Sequence, residues 1–197
     1  MSTGRVEAFS DGVIAILITI MVLEFKVPAS PDLAALRPLV PVFLTYVLSF
    51  VVVGIYWNNH HHLLRAAEHV DGRVLWANLH LLFWLSLVPF VTGWMGENHF
   101  APVPTAVYGI VLLMCGVAYR LLVMAIVARG MNAALSAAIG SDFKGKISLV
   151  FYAAAIPLAF VNQWISDALY LAVILLWLIP DRRIERTVHA ERGAHLS

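Results

Sequence analysis

Apolar stretches of roughly 20 residues, each closed by proline or charge, recur along this chain, and that is the length a helix needs to cross a bilayer core. Composition points the same way: of 197 residues 61% are hydrophobic and only 13% charged, with a mean hydropathy of +0.83. An ordinary soluble domain of this length is far less apolar. The chain therefore reads as an all-α integral membrane protein, embedded in the lipid bilayer as one domain spanning residues 1–197. Its net charge of +1 is scattered through short loops, which leaves no surface for nucleic acid. The single cysteine, Cys115, lies in an apolar segment and excludes an intramolecular disulfide or a cysteine-based metal site. The first apolar stretch, Val13 to Phe25, has no small-x-small cleavage site, so it is expected to remain as a permanent span.

Proline, glycine and charge divide the chain into helices at about 5–25, 39–60, 74–95 and 105–127. Pro28, Pro31, Pro38, Pro41, Pro102 and Pro104 fall in connections or first helical turns, where proline is tolerated. Pro89 falls inside the third helix and is expected to kink it or to free a backbone carbonyl that a neighbouring helix must satisfy. The stretch from Ile147 to Ile179 is too long for one span. Lys144 and Lys146 precede it and Arg182, Arg183 and Arg186 follow it, and positive flanks belong on the cytoplasmic side. Both ends on one side make a hairpin, hence helices at about 147–162 and 165–179. In the resulting six-helix layout Arg5, Arg65, Arg73, Arg129, Lys144, Lys146, Arg182, Arg183, Arg186 and Arg192 are inside, and only Lys26 and Arg37 are outside. Both termini, including a tail at 181–197, are expected in the cytoplasm. The loop from Gly130 to Gly145 is polar and rich in small residues.

A carboxylate a few residues into a membrane helix is costly without a partner and marks a functional or assembly site. Asp11 is such a residue. At about 100° per residue, Ile16, Ile20 and Leu23 share one stripe of the first helix with Gly12 and Thr19 beside it, while Asp11 lies roughly 140° from Ile16. Asp11 is thus expected to face other helices. Donors at its depth are Trp57, Asn58, Asn59, His60, His61 and His62 at the end of the second helix, and Trp76, Asn78 and His80 at the start of the third. Hydrogen bonding to such donors stabilises the charged form. The three consecutive histidines cannot reach one ion from one helix, because adjacent side chains point about 100° apart. No metal or other cofactor is expected. Thr92-Gly93-Trp94 lacks the Thr-Val-Gly-Tyr-Gly run of a carbonyl filter, and no Walker loop, nucleophile elbow or HExxH helix occurs. The chain does not read as an enzyme.

The run Arg5-x-x-x-Phe9-Ser10-Asp11-Gly12-Val13-x-Ala15-Ile16, followed by Thr19 and Leu23-Glu24, resembles the signature of the lysosomal potassium channel family called transmembrane protein 175, in its bacterial branch. The resemblance continues through Tyr56-Trp57-x-x-His60-His61 and Asn78-Leu79-x-x-Leu82-Phe83. It departs from the family at His62, a third histidine. What the resemblance implies is a potassium-permeable channel for monovalent cations in a bacterial inner membrane, with no carbonyl filter. It also implies a homotetramer of six-helix subunits whose first helices line one pore. Carried over by position, Ile16 would form the narrow apolar gate, with Ile20 and Leu23 farther out and Thr19 presenting hydroxyls for ion selection. Arg5, Phe9, Ser10 and Asp11 would anchor the first helix through Trp57, His60 or His61, and Asn78.

An apolar ring narrower than a hydrated ion gates by dewetting, and a ring needs symmetric copies of the chain. The rival reading is a proton- or cation-coupled secondary transporter in which Asp11 and a histidine bind the coupling ion. Such transporters commonly show internal repeats with mid-membrane sites, and no repeat is evident here.

Overall fold

The computed structural model describes residues 3–65, 67, 70–128 and 143–178. The tail at 181–197 and residues 130–142 of the expected loop lie outside the described residues. All regular structure among these residues is helical. Helix α1 (Thr3–Ile20) passes into a 3-10 turn at Met21–Glu24; a second 3-10 segment, Leu33–Leu39, leads into α2 (Val40–Arg65). Then come α3 (Gly72–Ser86), α4 (Val88–Glu97), α5 (Pro102–Val127), α6 (Phe143–Leu158) and α7 (Gln163–Leu178).

These elements make six helical passes. Thr3–Leu23, Leu33–Arg65, Gly72–Glu97 and Pro102–Val127 are each long and apolar enough to cross a bilayer alone. The other two, α6 and α7, have 16 residues each, about 24 Å at 1.5 Å per residue. They form the expected hairpin. Asn162 closes it by accepting from the Trp164 N–H at 3.0 Å. Ser166 Oγ donates across it to the Ala155 carbonyl at 2.6 Å, and Trp177 Nε1 donates to Ser148 Oγ at 2.9 Å near the other end.

The structure corrects one expectation about helix course and locates another. The first helix does not stay α-helical to Phe25: it tightens into 3-10 geometry after Ile20, so Leu23 sits on a different rise and turn from Ile16. The third pass is interrupted at one residue, Leu87, which keeps helical dihedrals, so Gly72–Glu97 continues as one kinked span. Pro89 occupies the first turn of α4, where its missing N–H leaves no bond unmade. Asp71 starts the pass, its carboxylate accepting the Arg73 and Val74 amides at 3.0 Å each.

Packing sorts the helices into two layers. α1 rests on α2, α3 and α4; α5 packs behind α3 and α4 and carries α6 and α7. The shared core runs through Val53, Val74, Leu85, Met95, Leu112 and Leu122, all fully buried. Buried hydroxyls stitch the layers, since an unpaired polar group away from water is costly. Ser49 Oγ of α2 lies 2.6 Å from Thr92 Oγ1 of α4 and 3.0 Å from the Tyr108 hydroxyl of α5. The Tyr170 hydroxyl of α7 donates to the Thr105 carbonyl at 2.9 Å.

Candidate functional site

Helix α1 has one covered face and one bare one. Val6, Ser10, Ile14, Leu17 and Met21 are buried against α2–α4, at spacings of three and four that keep them on one side. On the other side Ile16 is 61% exposed, Ile20 43% and Leu23 77%. Thr19 and Gly12 are exposed beside them. Phe9, 54% exposed, lies two turns before Ile16 and therefore within about 20° of it. That placement differs from the expected anchoring role: geometry puts Phe9 with the Ile16 stripe. The Thr19 hydroxyl hydrogen is used within its own helix, toward the Ala15 and Ile16 carbonyls at 3.1 and 2.9 Å, which leaves the oxygen's lone pairs facing outward.

The expected network around Asp11 separates into two clusters. The inner one is fully buried and joins three helices. Asn78 Nδ2 of α3 donates to Ser10 Oγ at 2.9 Å, and Ser10 Oγ donates to the Val6 carbonyl at 2.8 Å. His60 Nε2 of α2 lies 2.6 Å from Asn78 Oδ1; because the amide nitrogen is committed to Ser10, the imidazole is the donor there. Every polar atom of the Asn78 side chain is thus engaged.

The outer cluster is half-buried and joins α1 to α2. Trp57 Nε1 donates to Asp11 Oδ1 at 2.9 Å. His61 stacks on Trp57 with ring centroids 6.0 Å apart, and its Nδ1 lies 2.8 Å from Glu7 Oε1. Arg65 Nε is 3.6 Å from the same oxygen. His61 is therefore not Asp11's hydrogen-bond partner, and Arg5 is exposed without a side-chain bond among the described residues. Sequence reasoning missed Glu7 and Arg65. The signal for Glu7 was its position four residues before Asp11, one helical turn away on the same face. His80 also stands apart, accepting from Trp84 Nε1 at 2.9 Å within α3.

An all-helical, multi-pass membrane protein with a bare apolar helix face, backed by buried polar bonds, is the class these features define. A profile described as endosomal/lysosomal potassium channel TMEM175 matches residues 5–89. A Chryseobacterium sp. (strain P1-3) protein named as a potassium channel is 53% identical over 189 residues, covering 95% of this chain and 98% of that protein. The chain belongs to the TMEM175 family. The crystal structure of a lysosomal potassium-selective channel TMEM175 homolog from Chamaesiphon minutus superposes with a TM-score of 0.78 at 29% identity, covering 90% of this chain and 96% of that one. The human endosomal/lysosomal proton channel TMEM175 is 41% identical over 75 residues, 32% of this chain and 15% of that protein.

Proposed function

We propose that this chain is a potassium-permeable cation channel in which four copies set their α1 helices around one pore. The observation that carries the reading is the bare stripe of α1. Phe9, Ile16, Ile20 and Leu23 are exposed on a helix whose opposite face is fully packed, and symmetric copies would turn that stripe inward. Ile16 is the narrowest ring, Ile20 and Leu23 continue the apolar wall, and Thr19 supplies the oxygen that replaces part of an ion's hydration. The inner and outer polar clusters hold α1 on α2 and α3. Opening moves the α1 helices apart or rotates them, and the closed ring blocks conduction by expelling water. Both termini are cytoplasmic and the membrane is the bacterial inner membrane, in keeping with the distribution of lysine and arginine.

The potassium channel naming of the Chryseobacterium relative supports potassium as the permeant ion, while the human relative is named a proton channel. Planar-bilayer recording of the purified protein addresses both. A reversal potential that follows the potassium gradient, and stays put when only pH differs across the bilayer, is expected. Ile16→Asn should wet the constriction and raise basal current; unchanged conductance and open probability in a correctly assembled variant would move the gate elsewhere. Flux that requires a counter-substrate would favour the coupled transporter instead.

A further inference from the structure

Glu7, Asp11 and His61 place two carboxylates and one imidazole around a common point at the α1–α2 contact. Their nearest ligand atoms all lie within 4.8 Å of one another, and all three side chains are half-buried. We infer that this is a site for a first-row divalent cation of the zinc type, held between α1 and α2. The expectation that the chain holds no metal rested on three histidines of one helix; this set draws on two helices and uses one of them.

Charge and geometry both argue for an ion. Glu7 and Asp11 are like charges one turn apart on α1, a repulsion that the Arg65 ion pair offsets only from the Glu7 side. Among the described residues Asp11 bonds only to the neutral indole of Trp57, and the guanidinium nearest Glu7, Arg65, is 3.6 Å away on an exposed side chain. A dication neutralises the pair. Zinc takes carboxylate oxygens and imidazole nitrogens at about 2.0–2.2 Å, which separates ligand atoms on a tetrahedral ion by about 3.4 Å. Glu7 Oε1 and His61 Nδ1, at 2.8 Å, would open slightly to admit the ion. An open groove lined by Asp11, Ile14, Ala15, Ile18 and Trp57 reaches the Asp11 side of the cluster and gives an ion its approach. The imidazole selects against magnesium and calcium, which prefer oxygen alone.

The test is zinc binding to the full-length, tag-free protein in nanodiscs. Equilibrium dialysis should find one zinc per chain. Glu7→Gln, which keeps the shape of the side chain, and Asp11→Asn, which keeps an oxygen for Trp57, should each weaken binding at least about tenfold; His62→Gln should not. X-ray absorption at the zinc edge of the wild-type protein needs no variant, and should show one imidazole among oxygen ligands. No zinc bound by wild type, equal affinity in both carboxylate variants, or a second imidazole in the absorption spectrum would each overturn the site.

A bound ion also ties α1 to α2, a consequence that rests on the channel reading. Zinc should slow potassium flux through wild-type liposomes severalfold and leave Glu7→Gln flux unchanged; equal slowing in both overturns the tie. Absence of flux from metal-free wild type would count against the channel while the binding measurements still decide the site.

Discussion

Asn78 is the residue whose loss should be felt most directly. Its amide bonds Ser10 of α1 and His60 of α2 at 2.9 and 2.6 Å, fully out of solvent. Asn78→Ala removes both partners at once and leaves a buried imidazole N–H with nothing to donate to, at a cost of about 1–3 kcal/mol. The expected result is a lower thermal midpoint of the purified oligomer, measured by fluorescence-detected size exclusion after heating; a midpoint within error of wild type would dismiss the bond as structurally idle. Thr19 makes the opposite kind of prediction. Its hydroxyl bonds only its own helix, so Thr19→Val should assemble normally and change the potassium-to-sodium permeability ratio under bi-ionic conditions. An unaltered reversal potential would count against a role in selection. At this scale the sequence was partly legible. The angle from Ile16 placed Asp11 on another face, and the same arithmetic would have placed Phe9 beside Ile16. The pairing of His61 with Glu7 instead of Asp11 was not legible, because it depends on how α2 is rotated against α1, which the pattern of neither helix fixes.

At the scale of elements, two glycines set a contrast. A Cβ on Gly96 of α4 would fall 2.6 Å from Thr45 Oγ1 and 2.9 Å from Val42 Cα of α2. The second contact is with backbone, so the helices must part. Gly96→Ala should destabilise the fold by about 1–3 kcal/mol, as overpacking does, read as a reduced denaturation midpoint. A Cβ on Gly12, on the bare face of α1, would meet nothing within 4 Å. Gly12→Ala should therefore keep or slightly raise stability, since alanine is about 1 kcal/mol better than glycine in a helix, and any effect should show in single-channel conductance. If both variants melt alike, the close α2–α4 approach is not what holds these helices. The existence of the helices was legible from apolar length alone. The 3-10 turn at Met21–Glu24 was not, because an apolar run looks the same in either geometry; the interruption at Leu87 was legible as a kink from Pro89.

For the molecule as a whole, sidedness follows from charge and is open to a direct check. Cys115 is fully buried in α5, so a membrane-impermeant maleimide should not label the native protein. Against that silent background Lys26→Cys should label in intact cells, and Lys146→Cys only after permeabilisation; the reverse pattern would invert the topology. The two-layer packing could not have been read from the sequence, because long apolar helices carry little periodic signal to say which face meets protein and which meets lipid.

That layering also bears on how far the family profile reaches. The family profile ends at residue 89, after α1, α2 and α3 and two residues into α4. The outer layer of α5–α7 makes its main contacts with α2–α4 and with itself. The profile therefore takes in every residue of the two polar clusters that hold α1, while the hydroxyl bonds of Ser166, Tyr170 and Ser148 in the outer layer fall beyond it.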